Sequence, residues 1–109
     1  MTKPVTFLGS SLDDLRTFPW QARREAGFQL DKVQHGDPPD DWKSLPELGA
    51  GICEIRIRDV SGIYRVMYAA RFPEAVYVFH VFQKKMQATP KRDLDLVRRR
   101  YNELLRNRA

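Results

Sequence analysis

The sequence predicts an α+β domain: a small, mostly antiparallel sheet with helices packed on one face. Three observations point to it. Apolar residues recur at helical spacing in the first third of the chain and again near its end, whereas between residues 52 and 82 the period shortens to two or the chain is apolar throughout. Gly, Pro and Asp cluster between these blocks, as connections require. Finally, 109 residues suit one domain and are too few for two of ordinary size, so residues 1–109 are read as a single domain.

Taken in order, residues 5–8 read as a short strand. Ser10-Ser11 followed by Asp13-Asp14 reads as a helix start, a hydroxyl accepting free backbone N–H groups and the carboxylates facing the positive helix end. A second helix starts at Pro19, whose missing N–H would be unpaired there anyway. Ala22, Ala26, Leu30 and Val33 form its buried stripe, and Gly36 ends it. Asp37-Pro38-Pro39-Asp40-Asp41 cannot continue a helix, so a loop runs on to Gly51, pinned by Trp42 and Leu45.

From Ile52 the chain alternates. Cys53, Ile55 and Ile57 turn to the core, and Glu54, Arg56 and Arg58 turn away. Asp59-Val60-Ser61-Gly62 makes a hairpin turn, and in residues 63–70 Tyr64, Val66 and Tyr68 join the core while Arg65 and Met67 share the open face with Glu54 and Arg56. After a turn at Arg71-Phe72-Pro73-Glu74, residues 76–82 are apolar at both parities, the pattern of a strand covered on both sides. A last helix follows Thr89 and Pro90, with Leu94, Val97, Tyr101 and Leu104 as its stripe. The order β-α-α-β-β-β-α then leaves one sheet face open and basic.

Composition narrows the function. With 42% apolar and 30% charged residues the balance is that of a folded domain. No apolar run approaches the ~20 residues of a membrane span, and the first residues lack a secretory signal, so a cytoplasmic chain with no membrane role is expected. One cysteine and two histidines offer no metal-binding spacing; Asp37, Asp40 and Asp41 lack the closing Glu of a calcium loop, and no Gly-rich phosphate loop is present. Neither a metal nor a cofactor is expected. The net charge of +5 is uneven, because nine basic residues stand against three acidic ones from Lys84 onward. Such a field suits a polyanion, whether nucleic acid or an acidic protein, and is also the ordinary make-up of a solvated helix face.

The chemistry-bearing feature is the convergence of Arg56, Arg65 and the Lys84-Lys85 pair near one end of a three-strand meander. Metal-free RNA cleavage needs the 2′-hydroxyl and the scissile phosphate held in line, the added negative charge neutralised, and protons moved at both oxygens. Arginine supplies planar two-point contacts, and lysine a compact charge whose proton is tunable. The competing reading is that outward cations keep an uncovered face soluble. His80, expected to share a face with Val78 and Phe82, reads as a hydrogen-bonded structural histidine rather than an acid or base. His35 reads as a helix-end cation, and Cys53, Tyr64 and Tyr68 read as packing. Arg58, on the open strand face, and Arg98 and Arg99, on the last helix, are candidates for RNA contact.

Glu54-Ile55-Arg56 with the preceding Leu45-Pro46-Glu47-Leu48-Gly49-Ala50-Gly51, then Tyr64-Arg65, then Phe82-Gln83-Lys84-Lys85-Met86-Gln87-Ala88-Thr89-Pro90 form a familiar series. Over residues 42–105 the chain resembles the RelE/ParE superfamily of bacterial toxins, specifically its phage-derived HigB-like branch. The resemblance implies a RelE-like toxin fold and a type II toxin: a ribosome-dependent, metal-independent endoribonuclease that cuts mRNA in the ribosomal A site and inhibits translation. It also implies silencing by a cognate helix-turn-helix, HigA-like antitoxin in a hetero-oligomer. Carried over, Arg65 matches the phosphate-binding arginine, Arg56 a basic position on the preceding strand, and Lys84 or Lys85 the basic residue ending the last strand. Glu54 stands where RelE has a second lysine. It is either a general base or the partner of Arg56 or Arg65, and a carboxylate beside arginines is a weak base. The catalytic tyrosine near the C-terminus of RelE has no counterpart. The alternatives are a ParE-like DNA gyrase inhibitor and a non-catalytic nucleic-acid-binding module; a gyrase binder has no need of Arg56, Arg65 and Lys84-Lys85 together. Removing Arg65 is expected to cost cleavage and little stability.

Overall fold

A computed structural model of the chain describes residues 2–108. The elements are β1 (Val5–Phe7), α1 (Ser11–Arg16), α2 (Trp20–Gln34), β2 (Trp42–Ser44), β3 (Ile52–Asp59), β4 (Gly62–Ala69), β5 (Val76–Lys84) and α3 (Lys91–Arg108). The strands form one sheet in the order β1-β5-β4-β3-β2. Only β1, which lies parallel to β5, departs from antiparallel pairing. The α+β class and the mostly antiparallel sheet are as the sequence predicts.

The helices, expected on one face, divide between two. Leu15 of α1 and Ala22, Ala26 and Leu30 of α2 pack on Ile55, Ile57, Tyr64 and Val66. Val97, Tyr101 and Leu104 of α3 pack on Ile52, Met67, Ala69 and Phe79, which point the other way. The reason lies in β4 and β5. Met67 and Ala69 share the parity of Arg65, and both are fully buried, so this face is apolar at one end and charged at the other. Alternation along a strand reports which face a residue takes and not where along it the character changes.

The stretch read as an uninterrupted loop contains β2, whose three exposed residues pair with residues 53–55 of β3. Trp42, expected to pin the loop, is 45% exposed. Leu45 does pin it, packing with Leu48 into the α3 cluster. The loop is tied down further on, where Tyr101 Oη donates to Ala50 O (2.8 Å) and Arg71 reaches both Ala50 O and Tyr101 Oη. Gly49 lies so close beneath the Tyr101 ring that a Cβ there would stand 2.6 Å from it.

Two local expectations also change. Ser10 Oγ donates to Asp14 Oδ2 (2.8 Å) instead of accepting from the first turn of α1. In β5, Met67 is opposite His80 while Tyr68 is opposite Val78, so Phe79 is an extra, bulged residue. The bulge turns Phe79 and His80 to the same side. Phe79 enters the α3 cluster, Val78 stays in the other, and His80 therefore does not share Val78's face. Among the described residues no helix is long and apolar enough to cross a membrane.

Candidate nucleic-acid interface

Helix α3 covers only part of its sheet face. Toward the β3–β4 hairpin the same face carries Glu54, Arg56 and Arg58 of β3, Arg65 of β4, and Phe82 and Lys84 of β5, fixed by the register. Arg56 is opposite Arg65, Arg65 opposite Phe82, Lys84 opposite Ile63, and Lys43 of β2 opposite Glu54. Directly opposed residues hold their Cβ atoms only ~5 Å apart, and like charges so placed are destabilising. The Arg56–Arg65 pairing therefore needs compensation, and Glu54 supplies part of it. Its Oε1 lies 3.3 Å from Arg65 Nη1 and its Oε2 3.7 Å from Lys43 Nζ. At the rim, Asp41 stands 4.0 Å from both Arg56 Nη1 and Arg58 Nε.

Burial decides what each group can do. The side chains of Glu54 and Arg65 are 3% and 8% exposed, so Arg65, read as an open-face residue, is enclosed. Arg58 is open to solvent at 75%. Lys84 is half-buried on the cluster side, whereas Lys85 lies beyond the strand and is exposed, so Lys84 is the lysine of this site. Burial first, and then Arg65 with help from Lys43 and Arg56, pushes the Lys84 pKa below its ordinary value against the pull of Glu54.

The structure thus gathers Glu54, Arg56, Arg65 and Lys84, with Arg58 at the edge, and leaves Lys85 out. Arg98 and Arg99 stay exposed on α3, Arg98 beside Asp95 at 3.6 Å, away from the stripe that faces the sheet. Arg100 is a structural residue, donating to Phe79 O (2.7 Å) and Ser10 Oγ (3.1 Å). Sequence reasoning missed Lys43, because nothing local marks β2 as a strand; only its pairing with β3 brings that lysine to Glu54. It also missed Asp93, in the first turn of α3, whose Oδ1 lies 2.7 Å from His80 Nε2. With its ring stacked on Phe82 and 7% exposure, His80 is the hydrogen-bonded histidine the sequence suggests.

Buried polar atoms without a partner mark where something is missing. Among the described residues there are four, Glu54 Oε2, Arg56 Nε, Arg65 Nε and His80 Nδ1, and the first three belong to this cluster. Leaving such an atom unpaired costs about 1–3 kcal/mol. Two of the three are donors on facing arginines, in a place where four cations surround one carboxylate. An anion with several oxygens would satisfy the donors and offset the charge together. No group of His, Cys, Asp and Glu among the described residues converges to hold a metal ion.

Residues 13–102 match the family model described as "Phage derived protein Gp49-like (DUF891)", which takes in every strand from β2 to β5 and the whole cluster. This chain belongs to the Gp49-like family. Gp49-like proteins are RelE/toxin-like in general, in keeping with the broader resemblance read from the sequence. No curated protein matches the chain. In this Gp49-like fold the cations come from four different strands, so their spacing is set by sheet register rather than by flexible loops. Groups held on rigid elements keep their geometry when charge develops between them.

Proposed function

We propose that this Gp49-like protein is the HigB-like toxin of a type II toxin–antitoxin system, a metal-independent endoribonuclease that acts in the cytoplasm and cuts mRNA on the ribosome. One observation carries the reading: Arg56 and Arg65 face each other with unpartnered, buried Nε donors, inside a group of cations drawn from β2, β3, β4 and β5. In the reaction the ribose 2′-oxygen attacks the adjacent phosphorus, the bond from phosphorus to the 5′-oxygen breaks, and one proton leaves the 2′-hydroxyl while another joins the 5′-oxygen. Arg56 and Arg65 hold the phosphate oxygens as their charge grows. Glu54 fixes the Arg65 guanidinium, and Lys84, its pKa lowered by burial and neighbouring cations, is the group placed to move a proton. The chain offers charge neutralisation more clearly than a strong base, and the ribosome supplies alignment of the mRNA. Its partners are then mRNA, the ribosome and a helix-turn-helix, HigA-like antitoxin.

Expression from a repressed promoter, followed by mapping of mRNA 5′ ends and of plasmid topology, tests this. New 5′ ends within translated frames, lost in Lys84→Ala and prevented by co-expressing the neighbouring helix-turn-helix frame, are the expected result. Altered plasmid topology without new mRNA ends would mark a ParE-like gyrase inhibitor. Growth arrest with neither would mark a non-catalytic nucleic-acid-binding module.

A further inference from the structure

Along β5 the residues from Val76 to Val81 are buried, and partial exposure begins at Phe82. The other phenylalanines of the α3 cluster, Phe72 and Phe79, are 1% and 0% exposed. Phe82 thus stands where the covered end of the sheet face gives way to the charged end, directly opposite Arg65. Its ring is stacked on His80, the ring centres 5.0 Å apart and the planes 22° from parallel. His80 is fixed in turn, its Nε2 lying 2.7 Å from Asp93 Oδ1 in the first turn of α3.

A part-exposed ring is ordinary by itself, but two further observations set this one apart. The first is what covers it. His80 takes one side of the ring, and among the described residues no guanidinium or ammonium stands over the other; the rings that Arg or Lys approach are Trp20, Phe28 and Phe72. Arg65, although directly opposite, is drawn to Glu54 at 3.3 Å. The second is what its neighbours lack. Arg65 Nε and Arg56 Nε are buried donors without a partner, so the ring lies beside the groups that call for a phosphate. Directly opposed side chains hold their Cβ atoms ~5 Å apart. One nucleotide bridges that spacing, with its phosphate on the arginine and its base on the ring.

We propose that Phe82 is a base platform: the nucleobase next to the phosphate held by Arg56 and Arg65 stacks on the side of the Phe82 ring that His80 leaves free. The proposal rests on reading this chain as acting on RNA, and it adds the part of the substrate that cations do not recognise. Every base has a π-face, and only an unpaired strand can offer it to a side chain, so the ligand is single-stranded RNA read by stacking rather than by sequence. Asp93, His80, Phe82 and the base form one continuous series. The first turn of α3 therefore sets the position of the ring, and the strand register sets its distance from Arg65. His80 and Asp93 are positioning residues that act through Phe82.

The test is fluorescence titration of the purified chain with a 2′-O-methyl RNA trinucleotide carrying 2-aminopurine between two uridines. The methyl groups remove the attacking hydroxyl, and stacking on an aromatic ring quenches the probe. Competition by a trinucleotide of the same charge with an abasic centre reports the phosphate contacts alone. The base should tighten wild-type binding by ~10–100-fold over the abasic strand. Phe82→Leu, which keeps an apolar side chain against α3, should remove both that advantage and the quench, and Phe82→Tyr should keep both. Val60→Ala, at the exposed hairpin tip, should behave as the wild type does. Thermal melts of each variant check that it is folded, and the comparison of the two strands on the wild type needs no variant. Equal wild-type affinity for both strands would overturn the platform and leave the RNA reading standing. A base advantage that survives in folded Phe82→Leu would place the base elsewhere and overturn the platform too. A wild-type chain that binds neither strand would overturn both.

Discussion

Arg56 and Arg65 face one another across β3 and β4, each with a buried Nε that has no partner among the described residues. Two like charges held in register oppose folding. Under the proposed function, that stability is given up for a phosphate, as at other sites of charge stabilisation. Inorganic phosphate should therefore raise the melting temperature of the free protein. At a concentration 100 times its Kd it would contribute about 2.7 kcal/mol. The shift should shrink in Arg56→Ala and persist in Arg99→Ala, whose side chain lies outside the cluster. An equal shift in all three proteins would place the anion elsewhere.

Arg65→Ala should lose about two to three decades in single-turnover cleavage on programmed ribosomes, the ~3–4 kcal/mol typical of a preorganised donor. Contrary to the expectation from sequence, its stability should fall as well. Arg65 and Glu54 are an enclosed pair, and removing one partner of such a pair costs about 3 kcal/mol. Combining Arg65→Met with Glu54→Leu should restore much of the melting temperature and none of the cleavage. That outcome separates the chemical role from the structural one.

Lys84 should behave in the opposite sense. Its folded-state pKa lies below the unfolded value, so its charge destabilises the fold at low and neutral pH, and the penalty fades as pH rises through the folded pKa toward ~10.4. Lys84→Met should melt higher than the wild type at pH 7, with the difference closing as pH approaches that limit, while cleavage is lost. Melts across pH 7 to 10 check the sign.

An acid-sensitive clamp holds the end of α3. Glu74 accepts from Arg108 Nε (2.6 Å) and Nη2 (3.0 Å) and from Tyr77 Oη (2.8 Å), and the Arg108 contact above all pulls its carboxyl down to about 2. A carboxylate with a depressed pKa stabilises the fold above its unfolded value of ~4.3, and that contribution is lost as pH falls from there through the folded pKa. Glu74→Gln should therefore melt below the wild type at pH 6 and level with it near pH 2. A gap that persists at pH 2 would assign the effect to packing.

Much of the fold was legible because its signals are local. Alternation from Cys53 to Arg58 and the stripe from Leu94 to Leu104 are written in side chains whose period matches their element. What stayed hidden depends on contacts distant in sequence. The three residues of β2 become a strand only through pairing with β3, which also carries Lys43 to Glu54. The parity shared by Arg65, Met67 and Ala69 was readable, but their division into a charged end and an end beneath α3 was not. For the site, the sequence named Arg56, Arg65, Glu54 and both lysines; choosing Lys84 over Lys85 required the strand's end, and Asp93 required the path of α3 back to His80.

The bulge at Phe79 makes the length of β5 a functional quantity. From Val81 onward each residue reaches its face because one extra residue has been absorbed at Phe79. Deleting Phe79 would only close the bulge, but inserting a residue between His80 and Gln83 would move every later side chain to the other side of the sheet. Lys84 would then point toward Tyr64 and the α1–α2 layer, while Gln83 would take its place beside Arg65. Related chains should be free to vary Val60 or the tip of the β3–β4 turn, but between His80 and Lys84 they should tolerate substitutions and no change in spacing.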